Sequence, residues 1–159
     1  MKNSKPIILT AAVAGTLIFS GFGAPVQQPS FSDKYWVLES SSIVPAADMN
    51  LDGKPDTDLR DIMEDCDKDD AEMFRSDGKM VTHHGANRCD SDEEEIIESG
   101  TWKYNPATKQ ITSHQTGMEK PVVTTIKEVT AGKMVVVYDF TSTDGQKHTI
   151  TGTYRLKQI

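Results

Sequence analysis

From Tyr35 onward the chain consists of short β-favouring runs separated by turn sequences, and helical periodicity is nearly absent. Runs of this length with frequent turns are typical of an antiparallel β protein. The turns contain Asp-Gly, Asn-Pro and Ala-Gly pairs, which are common between neighbouring strands. The predicted strands are 34–43, 71–76, 79–84, 98–105, 109–115, 121–129, 133–142 and 146–157.

Several of these runs alternate apolar and polar residues, which indicates a sheet with one buried face. Met134, Val136, Tyr138 and Phe140, for example, share one face of a predicted strand. Eight sequential strands joined by tight turns predict an all-β fold, an eight-stranded antiparallel up-and-down barrel, because closure removes exposed sheet edges. A two-sheet β-sandwich is the alternative architecture.

A single segment of the chain, residues 56–63, has helical character. It lies in the long polar stretch between the first two predicted strands, and Asp56 or Asp58 is a suitable N-cap. We therefore expect one short helix after the first strand.

The first residues have the three parts of a secretory signal peptide. Two lysines supply the positive start, an apolar run follows over 6–19, and small residues come next, with cleavage expected after Gly23. The apolar run has no cysteine for lipid attachment, so we expect an exported protein, periplasmic or secreted, that is not a lipoprotein. No later apolar segment is long enough to span a membrane. The expected organisation is a signal peptide over 1–23, a flexible lead-in over 24–32 and a β-barrel domain over 33–159.

The chain has 24 acidic residues against 17 lysines and arginines, a formal net charge of -7. Nucleic-acid binding depends on Lys and Arg at the phosphates, so this balance argues against a nucleic-acid partner. It argues equally against docking on anionic lipid. The expected partner is a small apolar ligand or another protein.

Cys66 and Cys89 are the two cysteines of the chain. In an exported protein, two cysteines without a Cys-x-x-Cys spacing favour a structural disulfide over a redox or metal-binding pair. Such a disulfide would tie the stretch after the first strand to the loop after the third.

The segment from Asp48 to Asp58 places oxygen-bearing side chains at alternate positions, followed by a glycine. This spacing is typical of short loops that wrap calcium, because glycine allows the turn that points the next carbonyl inward. The candidate ligands are Asp48, Asn50, Asp52, Lys54 through its carbonyl, Asp56 and Asp58. A bound calcium would be structural. The alternative is a solvated acidic loop with an Asx turn.

Catalysis finds no support in the sequence, because no Ser-His-Asp signature surrounds a serine and no glycine-rich loop resembles a phosphate cradle. The aromatic and apolar residues of the predicted buried face could line a ligand cavity, or they could fill the core. The candidate cavity residues are Trp36, Leu38, Trp102, Tyr104, Tyr138, Phe140 and Tyr154.

Six stretches, in chain order, are Asp48-x-Asn50-x-Asp52-Gly53, Asp58-Leu59, Cys66-Asp67-Lys68-Asp69-Asp70, Phe74-Arg75-Ser76-Asp77-Gly78, Cys89-Asp90 and Gly100-Thr101-Trp102. Together they resemble the lipocalin-like domains of exported bacterial proteins. The resemblance implies a lipocalin-like barrel with a disulfide. We therefore expect an exported, non-enzymatic protein that binds a small apolar or amphipathic ligand. The alternatives are a structural or protein-interaction module with a filled barrel, and a small hydrolase.

Overall fold

Each of the eight predicted runs forms a strand in the computed structural model, which describes residues 28–158. Every predicted strand bound lies within two residues of the observed one. The strands are β1 (Tyr35–Val44), β2 (Ala71–Phe74), β3 (Lys79–His83), β4 (Ile96–Asn105), β5 (Gln110–Gln115), β6 (Val122–Val129), β7 (Lys133–Thr141) and β8 (Lys147–Lys157).

The strands are hydrogen-bonded in sequence order and close into a barrel. Closure is made by β1, which pairs antiparallel with β2 at Tyr35 and Trp36 and with β8 along nearly its whole length. One continuous sheet runs through all eight strands. The up-and-down barrel is therefore confirmed, and the β-sandwich alternative is wrong.

Aromatic side chains fill the barrel end that carries the β2–β3, β4–β5 and β6–β7 turns. Phe31 is buried and packs against Phe74, Trp102 and Tyr104, with ring centroids 5.7, 5.6 and 5.3 Å away. The indole of Trp36 donates a 2.8 Å hydrogen bond to the carbonyl of Phe31, which holds the segment before β1 against the barrel. This end of the barrel is closed.

The prediction of a flexible lead-in over 24–32 is wrong at Phe31 and Ser32, which are both buried. Phe31 completes the aromatic cluster beneath the strands, so its ordering is stabilised by apolar burial. Strand periodicity could not show this, because Phe31 precedes the first strand. The packed domain therefore begins before residue 33.

The long connection from β1 to β2 crosses the opposite end of the barrel. Where the sequence predicted a helix over 56–63, the structure has a 3₁₀ turn at Leu59–Asp61, and a second follows at Asp67–Asp69. Asp58, one of the two predicted N-cap candidates, is the N-cap of the first turn, and its carboxylate accepts the N–H of Arg60 at 2.9 Å. The helix is shorter than expected because polar side-chain hydrogen bonds, rather than an apolar face, hold this segment.

Part of this connection covers the barrel mouth beside β7 and β8. Ala47 and the partly buried Leu59 pack with Ile43 of β1 and Ile150 of β8 in a second apolar cluster. The mouth of the barrel is therefore narrowed on this side.

The signal peptide predicted over 1–23 lies outside the described residues and stays a prediction. Within residues 28–158, no helix has the length and apolar character needed to cross a membrane.

Candidate ligand-binding cavity

A cavity of about 290 Å³ lies inside the barrel between the aromatic plug and the opposite end. Its polar lining groups come from Glu72, Ser113, Gln115 and Thr124. Met118, an exposed residue in the β5–β6 turn, also lines it, so the cavity reaches solvent beside that turn. The main apolar lining residues are Trp36, Phe74, Met80, Ile111, Met134 and Val136.

The residues predicted to line a cavity fall into three places. Trp36, Tyr138 and Tyr154 line the 290 Å³ cavity, and Leu38 lines a neighbouring one. Trp102 and Tyr104 belong instead to the aromatic plug with Phe31, and Phe140 stacks on His148 with ring centroids 4.8 Å apart. All seven residues lie on the interior face of their strands, as predicted. Their position along the barrel axis decides whether they line a cavity or belong to a packed cluster.

Glu72 is the one carboxylic acid among the residues that line the cavity. It follows Ala71 on β2 and lies two residues before Phe74, so both point to the barrel interior. Its cross-strand neighbours are Trp36 on β1 and Thr82 on β3. Burial raises the pKa of the Glu72 carboxyl, and no hydrogen bond or charge within the described residues opposes this rise.

A second cavity, of about 330 Å³, lies on the other side of Glu72, beneath the β1–β2 connection. Trp36, Glu72 and Tyr154 line both cavities. Lys68 lines the second cavity, but its ammonium group is paired with the carboxylate of Asp65 at 2.7 Å. The carboxyl of Glu72 therefore stands between two spaces without a basic partner in residues 28–158.

Two tyrosine hydroxyls face the same interior. Burial raises the pKa of Tyr154, and the nearby Glu72 and Tyr138 raise it further. Burial also raises the pKa of Tyr138. Both hydroxyls therefore stay protonated at neutral pH, where each can donate one hydrogen bond and accept others.

Glu72 was not predicted as a site residue, although a signal was present. It ends an acidic stretch that begins at Asp65, and in the sequence it looks like one more solvated acid. The predicted strand over 71–76, however, already places Glu72 on the same face as Phe74.

The predicted disulfide is formed between Cys66 and Cys89, with their Cα atoms 5.2 Å apart. It joins the β1–β2 connection to the β3–β4 connection at the open end of the barrel. Carboxylates beside it hold the same two segments: Asp70 accepts the N–H of Gly85 at 2.9 Å, and Asp69 accepts that of Ala86 at 2.8 Å. The cysteines are structural in this arrangement.

The predicted calcium segment forms an exposed loop whose carboxylates bind its own backbone. Asp48 accepts the N–H groups of Asp52 at 3.0 Å and Gly53 at 2.9 Å. The other candidate side-chain ligands make similar hydrogen bonds. The side chain of Asn50 accepts the N–H of Asp52, and that of Asp52 accepts the N–H of Lys54. Asp56 accepts the N–H of Met49, and Asp58 accepts the N–H groups of Ser41 and Arg60. Calcium at this loop stays a prediction.

Asp58 differs from the rest of that loop in its electrostatics. Burial alone would raise the pKa of Asp58, but hydrogen bonds from Arg60 and Ser41, together with the charge of Arg60, lower it overall. Its carboxylate is committed to capping the 3₁₀ turn and to Ser41 on β1.

A serine and a histidine meet at the β7–β8 turn. The hydroxyl of Ser142 lies 3.0 Å from Nε2 of His148, whose Nδ1 lies 2.8 Å from the carbonyl oxygen of Pro45. The nearby acid, Asp144, binds the hydroxyl of Ser142 at 2.5 Å and not the imidazole. In a nucleophilic triad the acid orients the histidine, so this contact is that of a turn.

Comparison with known proteins gives the family. The sequence model of the lipocalin-like domain family matches residues 33–136, so the chain belongs to that family. The solved structures that it resembles include bovine odorant-binding protein with its natural ligand and the same bovine protein with a selenium-containing odorant. Both are 11% identical with a TM-score of 0.43; the alignments cover 86% of this chain and 79% and 78% of theirs. No curated protein matches the chain.

Proposed function

We propose that this protein is an exported, non-enzymatic binding protein that holds one small apolar or amphipathic molecule inside its barrel. The observation that supports this is the 290 Å³ cavity, with mostly apolar walls, a few polar groups and an opening beside Met118. Ligand sites in proteins are typically such concave, mostly apolar spaces, of about 300–1,000 Å³. The cavity is near the lower end of that range, which favours a small ligand.

The cavity argues against the alternative function, in which a filled barrel serves as a scaffold for outer loops that bind another protein. The end around Phe31 and Trp102 is filled and a second cluster covers part of the other mouth, while the space above Trp36 is open. A protein that used the barrel only as a scaffold would gain stability from filling this space, because empty volume costs packing energy. The open volume therefore favours the binding protein.

The proposal can be tested by filling the cavity. Thr124 on β6 lines it, whereas Val123, the preceding residue, is 46% exposed on the outer face of the same strand. We expect the neutral fluorescent probe N-phenyl-1-naphthylamine to bind the wild-type protein with one site. Thr124→Trp should abolish binding, because the indole occupies the probe's space, and Val123→Trp should leave it unchanged.

Circular dichroism and thermal unfolding of both variants provide the control for folding. Equal probe binding by the wild type and Thr124→Trp, with both proteins folded, would place the probe outside the barrel and contradict the proposal.

A further inference from the structure

We propose that the molecule held in the barrel is a small organic cation, a protonated amine with an apolar body, and that Glu72 is its counterion. The inference rests on the proposed function and specifies the class of ligand. It starts from the position of one carboxyl group inside an otherwise apolar wall.

Glu72 is partly buried in β2, and the surrounding strands remove much of the water from around its carboxyl group. Its carboxyl group faces two cavities and has no hydrogen-bond or charge partner among the described residues. A desolvated carboxylate without an ion-pair or hydrogen-bond partner is less stable than one in water. An alkylammonium group in the cavity would supply both the opposite charge and the hydrogen-bond donors that the carboxylate lacks.

The surroundings of Glu72 favour a cation over an anion. The indole of Trp36 lies on the neighbouring strand at the paired position, and the rings of Tyr138 and Tyr154 line the same cavity. Aromatic faces attract ammonium groups through their quadrupoles, most strongly where water is excluded. The tyrosine hydroxyls can also accept hydrogen bonds from an ammonium group.

The charged groups nearest to Glu72 add to this preference. The β1–β2 connection brings Asp67, Lys68 and Asp70 to the second cavity, while β1 and β3 bring the uncharged Trp36, Leu38 and Thr82. Lys68 is paired with Asp65, and Asp70 binds Nδ1 of His84 at 3.0 Å. No free cation among these groups neutralises Glu72.

The end of the barrel at which the cavity opens carries many acidic residues. The β1–β2 and β3–β4 connections, which carry most of the 24 acidic residues, lie at the open end together with the β5–β6 turn. A mouth lined by one sign of charge raises the local concentration of ligands of the opposite sign. A cationic ligand is therefore attracted to the end at which the cavity opens.

A matched pair of probes tests the inference. We would measure displacement of N-phenyl-1-naphthylamine by 4-phenylbutylamine and by the neutral 4-phenylbutan-1-ol, for the wild type, Glu72→Gln and Glu128→Gln. Glu128 is a matched control, since it is exposed on β6 and paired with Lys133 at 2.9 Å. We expect the wild type and Glu128→Gln to bind the amine at least tenfold more tightly than the alcohol.

In Glu72→Gln the amine should lose this tenfold preference while the alcohol binds as before, which also shows that the variant is folded. Equal wild-type affinities for amine and alcohol would overturn the inference without any variant, and would leave the proposed function standing. An amine preference that survives in Glu72→Gln would overturn the role of Glu72. If N-phenyl-1-naphthylamine does not bind the wild type, the proposed function is contradicted, and the inference about the ligand class is contradicted with it.

Discussion

Glu72 occupies a position in β2 at which the barrel would be more stable with an apolar side chain. Its neighbours on the interior face are Trp36 across one strand pair and Phe74 two residues along β2. Replacing a desolvated ionisable group that has no partner by a neutral one is expected to be stabilising. Proteins retain such groups at functional sites, which makes Glu72 more informative than the aromatic residues around it.

The raised pKa of Glu72 predicts a specific pH dependence of stability. The folded protein holds the proton of the Glu72 carboxyl more tightly than the unfolded chain does. The stability that protonated Glu72 contributes is therefore lost as pH rises from its pKa in the unfolded chain through its pKa in the folded protein. The free energy of unfolding of Glu72→Gln minus that of the wild type should therefore grow with pH and then level off. The growth is about 1.4 kcal/mol for each unit of pKa shift.

Urea unfolding of both proteins from pH 4.5 to pH 8 measures this difference directly. Glu128→Gln, which removes an exposed carboxylate, should give a difference that changes little over the same range. A Glu72→Gln difference that is constant with pH would show that the carboxyl group is not desolvated.

At the scale of single elements, the β1–β2 connection organises the open end of the barrel. Cys66 links it covalently to the β3–β4 connection, and the carboxylates of Asp69 and Asp70 bind the backbone of that second connection. The same connection carries the roof of the second cavity beside Glu72. It is thus both a clamp on the barrel and part of the wall around the candidate site.

Removal of the disulfide should therefore weaken the barrel without unfolding it. The double variant Cys66→Ala/Cys89→Ala should lose about 3 kcal/mol of unfolding free energy in the chain-entropy model. The hydrogen bonds of Asp69 and Asp70 should still hold the two connections, so probe binding should be retained. Urea unfolding and probe titration of the double variant measure these two quantities. Alkylation of both thiols in wild-type protein without reductant would contradict this account.

The loop from Asp48 to Asp58 gives a separate prediction at this scale. If it binds calcium, calcium should raise the melting temperature of metal-free protein and excess chelator should reverse the rise. Asp48→Ala should remove the response, while Asp90→Ala, an exposed acid in the other connection, should keep it. The response to calcium is compared, because Asp48 also holds the backbone of Asp52 and Gly53. An identical melting temperature with calcium and with chelator would exclude the site.

The elements also show what could be predicted from the sequence. The strands follow from local alternation and from turn residues, which act over a few positions. The roles of Phe31 and Glu72 depend on contacts between distant segments: Phe31 packs on Trp102, and Glu72 becomes an interior group only when β2 lies beside Trp36. The local pattern gives the face of Glu72 but not its neighbours, so the barrel and its disulfide were predicted, whereas the aromatic plug and the cavity position of Glu72 were not.

At the scale of the whole molecule, the two ends of the barrel differ in both packing and charge. The end around Phe31 is closed by aromatic rings, and Lys79, Lys103 and Lys133 lie on the strands near its turns. The opposite end carries the acidic connections, the disulfide and the opening beside Met118. The fold therefore offers a route to the interior beside Met118, at the end that carries the acidic connections.

The most direct test of ligand binding inside the barrel is a crystal structure of the wild-type protein with N-phenyl-1-naphthylamine. We expect the electron density of the probe between Trp36, Thr124 and Tyr154, in the space that Thr124→Trp would occupy. Density for the probe on the outer surface only, with that space filled by rearranged side chains, would contradict the account.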